Sequence, residues 1–129
     1  MIPGRSFLSC IFGFFAFFAS FPVWGDCPTG VAALSKNDYA AAWTQFTASA
    51  SQGDRCSQFN LGSMYANGQG VPVNLVESYL WLDLAARSWS GSHQQDAAKA
   101  RDLVAQHLTP SDLAAAQDRV TKWLAAHQK

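Results

Sequence analysis

The chain is expected to fold as an all-α protein, an α/α repeat solenoid closed by a C-terminal capping helix, and three observations carry that expectation. Residues 59–71, Phe-Asn-Leu-Gly-Ser-Met-Tyr-Ala-Asn-Gly-Gln-Gly-Val, read as a helix that carries a glycine on its packing face and ends in a glycine-punctuated turn. Leu61 and Tyr65 are four apart and share one face. Gly62 beside them lets a neighbouring helix approach, and Gly68 and Gly70 can take the left-handed conformation that a helix end needs. Second, Trp43 and Trp81, Phe46 and Leu84, Ala48 and Ala86, and Gly53 and Gly91 all stand at one common offset, 38 residues. A fixed period of this length is the signature of a repeat array. Third, apolar residues recur at three-and-four spacing behind capping residues.

Taken in order, a short helical stub is expected near Val31 to Ser35. The first long helix runs from about Asp38 to Ser51, with Tyr39, Trp43, Phe46 and Ala50 along one stripe. The second spans Arg55 to Asn67 behind Asp54, whose carboxylate can accept from an unpaired amide. Pro72 bars simple continuation, and Asn74 with Glu77 three residues on forms an Asn-x-x-Glu capping pair for the third helix, about Leu75 to Trp89. Leu80, Trp81, Leu82 and Leu84 leave that helix little polar face, so it should be central. Ser92 with Gln95 opens a fourth stretch to about His107, with Ala100 falling opposite Gly62. Thr109-Pro110-Ser111-Asp112 opens the last helix with proline in its first turn. There Leu113, Ala116, Val120, Trp123 and Leu124 form one apolar stripe, backed by Gln117, Asp118, Arg119 and Lys122. A one-sided terminal helix ends an array without exposing its core.

The chain divides into an export signal, residues 1–25, and a helical domain, residues 26–129. Arg5 supplies the positive start, Phe7 to Phe21 an uncharged run, and Val23 and Gly25 small residues before the cleavage point, leaving Asp26 at the new N-terminus. An uncleaved membrane anchor is the alternative. Cys10 would leave with the signal. Cys27 and Cys56 remain, an even pair in an exported chain, for which a disulfide is the expected state and two buried thiols the alternative. Such a bond contributes about 3–4 kcal/mol on the chain-entropy model. The location implied is a periplasm or another exported space.

The full chain has nine basic and nine acidic residues. Without Arg5 the balance is minus one, and the cations are spread singly from Lys36 to Lys129. The electrostatic footprint of nucleic acid or an anionic membrane is missing. Glu77 is explained as part of a helix cap, and Asp83 with Arg87 as a surface ion pair worth about 0.2–0.5 kcal/mol. His93, His107 and His127 have no metal-ligand spacing, so neither a metal nor another cofactor is expected. Gly-x-Ser-x-Gly, Ser-x-x-Lys, His-Glu-x-x-His and Cys-x-x-Cys do not occur, and no catalytic residue is assigned.

The pattern Leu61-Gly62, Tyr65, Gly68, Gly70-Val71, Trp81 and Ala85-Ala86 resembles a Sel1-like repeat, a relative of the tetratricopeptide repeat. Residues 54–91 carry the match, with Asn74 where the family has Asp and Ser78 where it has Ala. The resemblance implies about one and a half to two repeats and a non-catalytic scaffold that binds a protein or peptide partner on its concave face. Carried onto this helix, the groove positions fall on Phe59, Ser63, Ala66 and Asn67, where a phenylalanine beside polar groups can hold an extended peptide. The alternative for Phe59 is packing against the next helix. Some exported members are associated with β-lactams, so the competing functional expectation is an envelope enzyme or ligand binder acting on peptidoglycan or a β-lactam. The serine machinery for such an activity does not appear in this sequence.

Overall fold

The computed structural model describes residues 27–128; the expected export signal, residues 1–25, lies outside the described residues, as does Cys10. Six helices follow one another: α1 (Cys27–Ser35), α2 (Tyr39–Ala50), α3 (Arg55–Asn67), α4 (Leu75–Ser88), α5 (Gly91–Gln106) and α6 (Pro110–His127). No strand occurs among the described residues, and none of their helices is long and apolar enough to cross a membrane.

The helix starts follow from local chemistry. Asp38, Asp54, Asn74 and Thr109 each stand as N-cap, accepting from the amides of Ala41, Ser57, Glu77 and Asp112. Each side chain thereby satisfies one of the amides that a helix start leaves unpaired. The fourth long helix differs from expectation. It begins at Gly91 rather than Ser92, behind Ser90, whose side chain makes no capping bond. At the other end of α3, Gly68 takes the left-handed conformation (φ 66°, ψ 35°) and returns its amide to Met64 O. Gly70 then lets the turn lie on Tyr39, where a Cβ would come within 2.9 Å of the Tyr39 Cβ.

Helix α4 is central because it is apolar nearly all round. Every residue from Ser78 to Ala86 is buried, and such a helix needs cover on all sides. Helices α3, α5 and α6 supply it, while α1 and α2 pack on each other and α2 on α3. Arg55 at the start of α3 donates to Ser88 O at the end of α4, so these two helices run antiparallel. The α6 helix packs chiefly on α4 rather than on α5. Glu77 pairs with Arg119, and the Trp81 and Trp123 rings meet edge to face at 6.4 Å, so α4 and α6 ascend together and are parallel.

Gly62 sits at the α3/α4 crossing. A Cβ there would lie 2.8 Å from Leu82 Cγ and 3.1 Å from Ser78 O, and Ser78 Oγ donates to Gly62 O at 2.7 Å. The Ser78 hydroxyl therefore ties α4 to the α3 backbone at this crossing. Cys27 and Cys56 form a disulfide that joins α1 to α3, with a Cα separation of 5.8 Å. The ring of Phe46, fully buried, fills the space that a side chain at Gly30 would need.

Candidate binding surface

Helix α3 divides its residues between two duties. Leu61, Gly62 and Met64 are buried against the core, and Tyr65 is half-buried against it. On the adjoining face, Phe59 and Ser63 are half-buried and Asn67 is exposed at the C-terminal end, with Ala66 half-buried beside them. Phe59 packs against both apolar clusters of the interior. Its ring also continues outward: its centroid is 5.7 Å from that of Trp89, which is 5.3 Å from that of the exposed His93. Phe59 is thus both an interior contact and the inner end of an aromatic row that crosses from α3 to the α4/α5 turn. The Ser63 hydroxyl donates to Phe59 O, the local back-bond open to a serine inside a helix.

The other positions that carried the sequence resemblance serve packing and turns. Trp81 is 8% exposed, Ala85 and Ala86 are buried in a small cluster with Ala97, and Val71 is half-buried in the α3/α4 connection. Sequence position gave no sign that Trp89 and His93 would join Phe59, because the three lie on different elements.

One polar assignment needs correction, and a second gains a partner. Asp83 is not part of a surface pair: it is 3% exposed, and its carboxylate accepts from Arg87 Nε at 2.6 Å and from Arg101 Nη1 at 2.9 Å. Arg101 also bonds Asp102. Burial opposes the Arg101 charge, but hydrogen bonds to Asp83 and Asp102 outweigh it and hold its pKa above the ordinary arginine value. Glu77 does stand third in the cap, its amide donating to Asn74 Oδ1, but its carboxylate does not close a reciprocal capping box. The Asn74 amide donates to Tyr65 O instead, and the Glu77 carboxylate turns to Arg119 of α6.

Other polar groups are buried without partners among the described residues: Trp43 Nε1, Thr47 Oγ1, Ser57 Oγ and Gln58 Oε1. Gln58 spends its amide nitrogen on Ala50 O, closing the end of α2. The histidines stay apart. His107 ends α5, and the His127 ring stacks on Trp123 at 3.8 Å with Nδ1 2.8 Å from Trp123 O, a bond in which Nδ1 carries the proton because a carbonyl only accepts. Among the described residues no three His, Cys, Asp or Glu side chains converge as a metal site. Compared with protein-family models, curated proteins and solved structures, the chain matches none of them.

Proposed function

We propose that this protein is a small exported α/α repeat module of the Sel1-like kind, non-catalytic, that captures a protein or peptide partner in the cell envelope. The observation that carries the reading is the aromatic row Phe59, Trp89 and His93, graded from half-buried to exposed as it leaves the α3 face of Phe59, Ser63 and Asn67 for the start of α5. Aromatics anchored at their base and open at their rim are what binding hot spots use. The repeat reading draws support from the offset pairs. Phe46 and Leu84 are both fully buried, and Gly53 and Gly91 both take positive φ, Gly53 in the turn after α2 and Gly91 at the start of α5. The disulfide suits an oxidising compartment.

The test is site-specific photocrosslinking in cells from Asn67 and, as the remote control, from Asp118 on α6. A partner crosslinked from Asn67 alone is purified and titrated against the parent and against Phe59→Ala with Asn67→Ala. Loss of a hot-spot aromatic costs about 2 kcal/mol or more, roughly thirtyfold in affinity, with helical circular dichroism retained. Equal affinity of a folded double variant would remove this face as the binding surface.

A further inference from the structure

The parallel pairing of α4 and α6 leaves a hollow between the two helices. Alongside the Glu77/Arg119 and Trp81/Trp123 contacts, residues of α4 and α6 line this hollow of about 410 Å³. That volume falls within the range of small-molecule sites, about 300–1,000 Å³. Tyr79, Asp83 and Arg87 line it from α4, and Gln117, Val120 and Leu124 are among its α6 residues.

Its polar groups are held in place from below. Asp83 accepts two guanidiniums, and its grip on Arg87 uses only Nε. Both terminal amino groups of Arg87 are left without a protein partner among the described residues, on a side chain 57% exposed at the rim. Tyr79 is 8% exposed, yet its hydroxyl has no hydrogen-bond partner among the described residues. The hydroxyl is not among the fully buried unpartnered atoms, so it is the part of Tyr79 that reaches the surface and is free to donate to an oxygen acceptor in the hollow. Val120 and Leu124 give the opposite wall its apolar character.

We propose that this hollow binds a small organic carboxylate. Its two oxygens lie on the terminal N–H groups of Arg87, the Tyr79 hydroxyl donates to one of them, and its apolar body rests on Val120 and Leu124. The guanidinium fork matches a planar carboxylate. A phosphate dianion fits poorly, since Arg87 is the one cation lining the hollow and Asp83 lies beneath it. A cationic ligand is disfavoured because the Asp83 oxygens already face two guanidiniums. The C-terminal carbonyls of α4 do not compete for the site's cation: Leu84 O, Ala85 O and Ser88 O accept from Ser88 Oγ, Trp89 N and Arg55.

The experiment titrates the purified protein with cyclohexanecarboxylate, benzoate and hexanoate, and with the corresponding neutral amides, at fixed ionic strength, following backbone NMR shifts. At least one acid should bind below about 10 mM, shift Tyr79, Arg87 and Thr121, and bind about tenfold or more tightly than its amide. Arg87→Gln should reduce the acid to the level of the amide, Tyr79→Phe should weaken it about threefold or more, and Lys122→Gln, outside the hollow, should leave it unchanged. The acid-to-amide ratio is read on the unaltered protein, so it stands even if a variant fails to fold. No acid binding in that range, equal affinity for acid and amide, shifts confined elsewhere, or unchanged affinity in folded Arg87→Gln would each overturn the proposal.

Discussion

Replacing Gly62 by alanine sets two effects of opposite sign against each other. On helix propensity alone the change should stabilise α3 by about 1 kcal/mol. The crossing with α4 opposes this, because the new methyl would lie 2.8 Å from Leu82 Cγ and 3.1 Å from Ser78 O. Carbon atoms pack at about 3.5–4.0 Å, and Leu82 Cγ does not move with χ2, so only a χ1 change would clear the clash, and that would swing the 2% exposed side chain into its packed neighbours. Moving α4 away stretches the 2.7 Å bond from Ser78 Oγ to Gly62 O. Overpacking of about 1–3 kcal/mol and about 1 kcal/mol from the weakened hydrogen bond exceed the propensity gain. The expected net loss is about 2 kcal/mol. For a domain of this size that lowers Tm by about 8–16 °C. Thermal and urea unfolding followed by circular dichroism measure it, and a cycle with Leu82→Ala assigns it: the Gly62→Ala penalty should shrink by about 1 kcal/mol in that background. A Gly62→Ala protein that melts at or above the parent would refute the close-crossing argument.

Three further outcomes are expected. Denaturing, non-reducing thiol labelling should find Cys27 and Cys56 protected, and Cys27→Ser with Cys56→Ser should lower stability by about 3–4 kcal/mol, given a sequence separation of 29; two labelled thiols in the parent would contradict the bridge. Asp83→Asn should cost about 1–3 kcal/mol, well above a surface pair, because it weakens the bonds to Arg87 and Arg101 together; a loss under about 0.5 kcal/mol would return Asp83 to the surface class. Glu77→Gln should cost less than about 1 kcal/mol, and the difference from the parent should fade in high salt, since Arg119 is half exposed; a salt-independent loss would point to packing instead.

What the chain reveals without its structure is its local chemistry. Asp54 and Asn74 cap because a carboxylate or amide oxygen three residues ahead of an unpaired amide reaches it in any context, and both helices start where these residues place them. Gly68 ends α3 because a left-handed residue is least strained as glycine. The unbroken apolar run of α4 announces a central helix by composition alone. Gly62 is legible for the same reason, as a missing side chain between apolar neighbours.

The tertiary structure decided what depends on distant residues meeting. Asp83 and Arg87 look like an ordinary solvent-facing pair at four-residue spacing until Arg101 of α5, 18 residues on from Asp83, bonds the same carboxylate and Asp83 is buried. The Glu77 carboxylate suits its own helix cap until α6 brings Arg119 to it. The aromatic row of Phe59, Trp89 and His93 exists only because α3, the end of α4 and α5 converge, and the hollow beside Tyr79 only because α6 packs on α4. Periodicity and capping are properties of a few adjacent residues and survive in the linear text. Burial of charge and the shape of a cavity are properties of packed surfaces, and they arise only once helices far apart in the chain have met.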